Sequence, residues 1–137
     1  MPITNLQPYQ TVELRVKSTA FAAQGQATFL QNAVDQKLVQ SCRFQRAAGT
    51  PADVVLDLNI TNVGRGGDGF VTNPNLATME TLLVISDGQS GELLGTARIR
   101  GKSSGILINN DRPENEAIEV VAKTVTEVLV KSGCAKP

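Results

Sequence analysis

The chain has 137 residues, 41% hydrophobic and 19% charged, with thirteen Lys or Arg against thirteen Asp or Glu. That length can bury a core in a single domain over 1–137, and the composition is globular rather than disordered. Zero net charge and an aromatic content of 4% (Tyr9, Phe21, Phe29, Phe44 and Phe70) argue against a nucleic-acid partner, and no apolar run is long enough to span a bilayer.

Residues 1–10 read as an irregular lead, interrupted by Pro2 and Pro8, without the basic and apolar segments of a signal peptide. On that ground the chain is either cytoplasmic or a mature fragment. Val12, Leu14 and Val16 then alternate with Glu13, Arg15 and Lys17, the period of two expected of a half-buried strand. Over 26–42 the period changes. Ala27, Leu30, Ala33, Val34 and Leu38 recur at steps of three and four, the stripe of an amphipathic helix, with Gly25 just ahead of it. A connector follows from Arg43 to Asp53, with a short extra strand near Phe44 as an option. Val54, Leu56, Leu58 and Ile60, set against Asp57, Asn59 and Thr61, mark the next strand.

A loop rich in Gly and Asn is expected over 64–77. The strand after it, about 78–86, carries apolar residues on both faces (Leu83 and Ile85; Leu82 and Val84). That predicts a central position with at least partial cover on each side. Asp87-Gly88-Gln89-Ser90-Gly91 has the chemistry of a tight turn. With Glu92 it clusters oxygens, but a helix-loop-helix calcium site needs about twelve residues between helices, and strands flank this segment. Leu93, Gly95, Ala97 and Ile99 alternate with Thr96, Arg98 and Arg100 as a fourth strand. After a second loop, 101–113, Ile118, Val121, Ala122, Val125 and Leu129 repeat at helical spacing. Pro113, Glu114 and Glu116 suit the start of that helix, Lys131 its end and Gly133 its stop. Its many valines lower intrinsic helix propensity, so tertiary packing has to hold it. The order is β-α-β-β-β-α: an α+β fold with one antiparallel-rich sheet and two helices packed on one face.

The chain contains no histidine. This removes the commonest general base, the commonest metal ligand and every Ser-His or Cys-His relay. The acidic residues are scattered, and Asp57 reads as a solvent-facing strand residue. No catalytic residue, metal site or cofactor is expected. Gly64 to Phe70 is the most unusual segment. Successive glycines can aim N–H groups at an anion, with Arg65 adding charge, but the Gly-Lys-Ser/Thr ending and the following helix of a Walker loop are missing. A flexible loop is the plainer reading; as a partner contact the segment offers Arg65, Asp68 and Phe70. Ile106, Leu107 and Ile108 sit among polar residues, either as a short edge strand or plug over the core, or as an apolar lip that inserts into a partner or a second copy.

Cys42 closes the first helix and Cys134 follows the second. Helices lying side by side with coincident carboxyl ends would let the two sulfurs meet. Such a bridge encloses about 90 residues and contributes roughly 4–5 kcal/mol in the chain-entropy model. Two independent free thiols are the alternative. An oxidised pair implies a compartment outside the cytoplasm.

The run Ala52 to Ile60, then Leu82 to Asp87 with Ser90-Gly91-Glu92-Leu93-Leu94-Gly95, then a closing helix, resembles small bacterial envelope lipoprotein domains. That group includes the amino-terminal domain of the TolB translocation protein, the curli secretion channel subunit and the lipoprotein activators of penicillin-binding proteins. A hairpin of the form Asp-x-x-Ser/Thr-Gly-x-hydrophobic, here Asp87 to Leu93, is usual among them, and the resemblance covers roughly residues 10–133. It implies a periplasmic or envelope-associated domain acting through protein contacts, and it carries over no site residues. The function expected is therefore a non-catalytic protein-interaction or assembly module of the bacterial cell envelope, with self-association open to it. The alternative is a domain binding a small molecule or anion through the glycine-rich segment 64–70.

Overall fold

The computed structural model describes residues 2–3, 5–6, 8–18, 24–42, 45–46, 51–66, 73–103 and 113–134. In chain order these form β1 (Thr11–Ser18), α1 (Gln24–Ser41), β2 (Gln45–Arg46), β3 (Val54–Gly66), β4 (Asn73–Asp87), β5 (Leu93–Lys102) and α2 (Pro113–Lys131). The strands make one five-stranded sheet in the order β2-β1-β3-β4-β5. β1 runs parallel to both its neighbours, whereas β3, β4 and β5 form an antiparallel meander. The expected β-α-β-β-β-α order therefore holds, with the short strand after Phe44 added at the β1 edge.

Alternation along the strands sorts the sheet into two faces. On β3, Val54, Leu56, Leu58 and Ile60 are buried, and on β4, Ala77, Met79, Thr81, Leu83 and Ile85 are buried. The register sets Leu56 beside Ile85, Leu58 beside Leu83 and Ile60 beside Thr81, so these residues share one face. α1 packs on β1 and α2, and α2 packs on β4 and β5. Leu30, Ala33, Val34 and Leu38 from α1 and Ile118, Val121, Ala122, Val125 and Leu129 from α2 complete the same core cluster. At about 1.5–3 kcal/mol per buried large aliphatic side chain, this layer outweighs the modest helix propensity of the α2 valines. Close approach is built in at Gly101, where a Cβ would meet the carbonyl oxygen of Ala117 and the Val121 side chain.

Several sequence expectations need correction. The loop placed at 64–77 is mostly strand: Gly64 pairs with Thr78, Arg65 with Ala77 and Gly66 with Asn73. A Gly- and Asn-rich stretch reads as loop when taken alone, but pairing belongs to two strands at once. Gly64 fits because a Cβ there would lie 2.7 Å from Thr78 Oγ1. Likewise Gly101 and Lys102 belong to β5 rather than to the loop 101–113. Gly25 lies inside α1, in the first turn, where few intrahelical bonds depend on it. A register shift between Ile85 and Ser86 leaves Leu94 as an extra residue, so Leu94 is buried and Leu93 is exposed, reversing the expected parity. Finally, β4 is flanked by β3 and β5 as its two apolar faces suggested, but no described element covers the face bearing Leu82 and Val84.

Two substitutions test this packing by urea unfolding. Leu58→Ala is expected to cost about 2–5 kcal/mol, through lost burial and a cavity. Gly101→Ala, although it adds only a methyl group, is expected to cost about 1–3 kcal/mol by pushing α2 off the sheet.

Candidate protein-binding surface

The carboxyl ends of the two helices meet, and there Cys42 and Cys134 form a disulfide across a sequence separation of 92, with Cα atoms 5.6 Å apart. α2 ends in a Schellman motif. The Cys134 N–H donates to the Leu129 carbonyl and the Gly133 N–H to that of Val130, each at 3.1 Å, with Gly133 at φ 93°. The Ser132 carbonyl, left over at that terminus, accepts the N–H of Leu6 at 2.8 Å. Leu6 is fully buried, so the irregular lead contributes to the core it was expected only to precede.

At the same end of the sheet, Asp53 accepts the N–H groups of Gln10 at 3.0 Å and Thr11 at 3.1 Å, while its own N–H donates to Thr11 Oγ1 at 2.8 Å. These donors hold the Asp53 carboxyl below its usual range. Asp87 closes the turn as the sequence indicated, accepting the N–H groups of Ser90 and Gln89, which lower its pKa in turn. The Tyr9 hydroxyl, 3.4 Å from Asp87 Oδ2, is raised by burial and by that carboxylate. Both carboxylates are shifted away from neutrality, opposite to what a general acid at neutral pH requires. They tie loops to strands. Among the described residues no three His, Cys, Asp or Glu side chains group as metal ligands, and no helix is long and apolar enough to cross a membrane.

Hollows mark the surface formed by the described residues, among them the following. A crevice of about 130 Å³ lies beside Gln26, Gly64, Thr78 and Ala117. A groove of about 330 Å³ runs between α1 and α2, past Lys37, Lys123 and Lys131. A third, about 280 Å³, lies on the uncovered side of the sheet against Thr61, Glu80, Leu82, Arg98 and Arg100.

The uncovered face itself is organised in rows by strand register. Lys17, Asn59, Leu82 and Arg98 follow one another across β1, β3, β4 and β5; Arg15, Asp57, Val84 and Thr96 form the neighbouring row. Val55, Leu82 and Val84 are only half-buried. Around them Arg15 pairs with Glu13 at 2.8 Å and Arg100 with Glu80 at 3.8 Å. Exposed pairs of this kind contribute about 0–1 kcal/mol each, so they pattern the surface more than they stabilise it. Arg98 and Lys102 have no acidic partner among the described residues. The resulting surface is mixed, apolar in the middle and cationic toward β5.

Of the residues singled out from sequence, the structure brings together Cys42 and Cys134. Arg65 is a β3 residue paired through its backbone with Ala77. Asp68, Phe70, Ile106, Leu107 and Ile108 lie outside the described residues. Because Gly64, Arg65 and Gly66 are strand residues, an anion-binding nest in segment 64–70 would have to come from positions 67–70, also outside them. Sequence reasoning missed the row Arg98, Arg100 and Lys102. Its signal was the alternation of cations with small residues at Gly95, Ala97 and Gly101.

Against this geometry, the comparisons with known proteins are informative about the fold. No protein-family model matches the chain, and the curated proteins provide no match. Among solved structures, the chain is similar to the PelC dodecamer from Paraburkholderia phytofirmans (11% identity, 94% of each chain covered, TM-score 0.56). It is similar to a minor lipoprotein from Acinetobacter baumannii (11% identity, 95% of this chain and 99% of that one, TM-score 0.56). A protein from Xanthomonas campestris aligns at 12% identity over 93% of this chain and 84% of its own, with a TM-score of 0.61. This chain shares the fold of these three proteins.

The disulfide and the Asp53 bonds make two measurable contributions. Cys42→Ser with Cys134→Ser is expected to lower unfolding free energy by about 2–5 kcal/mol, read from urea curves of oxidised protein and variant. Asp53→Ala is expected to destabilise at pH 7. Because the folded-state pKa of Asp53 is depressed, its contribution is present above the unfolded value and lost as pH falls through the folded one. Unfolding curves of wild type and variant should therefore converge below about pH 4.

Proposed function

We propose that this chain is a non-catalytic protein-interaction or assembly module of the bacterial cell envelope, acting in the periplasm or at an envelope membrane surface. The observation that carries the reading is the uncovered sheet face. It combines half-buried Leu82 and Val84 with a cationic border and ends at β5, whose outer side is paired by no described strand, an arrangement suited to a protein contact. The Cys42–Cys134 bridge supports an oxidising compartment. The absence of histidine from the whole sequence supports a role without proton shuttling. The shared fold adds a context, since one similar protein is a lipoprotein and another assembles as a dodecamer. Association with further copies of itself is part of the proposal.

Cell fractionation with thiol trapping tests the location. The native protein is expected in the envelope fraction with both cysteines oxidised; recovery from the cytoplasm with two free thiols would reject it. Cross-linking of intact cells, followed by sizing of the purified chain, tests the contact role. Protein adducts or a defined oligomer are expected, and a monomer without adducts would count against it.

A further inference from the structure

The sheet stops at β5, a ten-residue strand whose outer side is paired by no described strand. We propose that this edge receives an extended segment of a partner protein as an added strand, and that the segment alternates acidic with apolar residues. The inference rests on the protein-interaction reading above and names the class of partner that reading leaves open.

The two sides of β5 differ in chemistry. Toward the uncovered face point Thr96 and then the exposed cations Arg98, Arg100 and Lys102. Toward the helices point Gly95, Ala97, Ile99 and Gly101, all buried or half-buried. In an added strand, side chains alternate in the same way, and those directly opposite β5 come within about 4.5–5.5 Å of its own. Acidic side chains therefore fall beside the cationic row. An example of that contact already exists one strand inward, where Glu80 of β4 lies opposite Arg100 at 3.8 Å. An incoming carboxylate would repeat on the outer side what Glu80 does on the inner one.

The other side calls for apolar residues. α2 turns Glu119, Thr126 and Val130 toward α1, as the Lys37–Glu119 ion pair at 3.6 Å and the groove between the helices show. Helical spacing then directs Val120, Thr124 and Val128 to the opposite flank, on the β5 side, where all three are half-buried. An added strand would lay its apolar side chains against them.

The same features select against wrong partners. A second β5 would set cations opposite cations, which destabilises a cross-strand pair. The extra residue at Leu94 breaks the register at one end and Ile3 lies against Gly95, leaving Ala97–Lys102, about 20 Å of regular strand, to be paired.

The test uses the full oxidised chain and two synthetic peptides of about nine residues, one alternating Glu with Val and one alternating Lys with Val. Calorimetric titration is expected to show binding of the Glu peptide, weakened by added salt and at least about tenfold tighter than the Lys peptide. Amide exchange is expected to slow at alternate β5 positions. Arg98→Glu with Lys102→Glu, which leaves the Glu80–Arg100 pair intact, is expected to reverse the preference between the peptides; an unchanged thermal midpoint controls for folding. Equal affinity for both peptides, protection confined to the groove between the helices, or no binding of the Glu peptide overturns the inference. If the Glu peptide fails while protein adducts still form in cells, the edge assignment falls and the interaction module stands. If adducts are absent as well, both fall.

Discussion

Everything in this structure depends on one apolar layer, formed by a single face of the sheet against two helices. Val54, Leu56, Leu58 and Ile60 supply its middle, and the α2 stripe from Ile118 to Leu129 closes it. α2 is rich in β-branched residues and would be a weak helix alone. It persists because Val121, Val125 and Leu129 are fully buried against β4 and β5, and because Gly101 lets the backbones approach. Removing water from this layer stabilises the fold; the hydrogen-bonded ladders then specify which strand lies beside which.

A core on one face has two consequences. First, the layer needs closure at its ends, and the chain provides it with local devices rather than further elements. At one end the disulfide joins the helices, the Schellman turn stops α2, and Leu6 fills the corner while satisfying the Ser132 carbonyl. Asp53 and Asp87 gather backbone N–H groups nearby. Their depressed pKa values follow from that structural work. Second, the opposite face has nothing of this chain above it among the described residues. Its half-buried Leu82 and Val84 and its border of Arg98, Arg100 and Lys102 are left to the solvent or to a partner.

Edges follow the same logic. At the β1 end the sheet closes with the two residues of β2, whereas at the other end β5 presents a long strand. Long bare edges invite uncontrolled pairing, and cations together with a bulge are standard protection. Here both are present, at Arg98, Arg100 and Lys102 and at Leu94. Protection against self-pairing and selection of an acidic strand are one electrostatic property seen with two different partners.

What the sequence by itself determined was the set of elements and the face each one buries. Periods of two and of three to four are local properties, so the β1 and β3 alternation, both helices and the Asp87 turn could be read directly. So could the stop at Gly133 and the logic of pairing Cys42 with Cys134. Tertiary structure decided whatever depends on two distant segments at once. Gly64 to Gly66 became strand because β4 lies opposite, Leu94 replaced Leu93 in the core because a bulge changed the register, and Leu6 was buried where the core accepts its side chain and the end of α2 offers a carbonyl to its N–H. The uncovered face and the cationic β5 edge belong to the same class. Alternation shows that Arg98 and Arg100 share a side, but only the order of strands determines that this side lies at the border of the sheet.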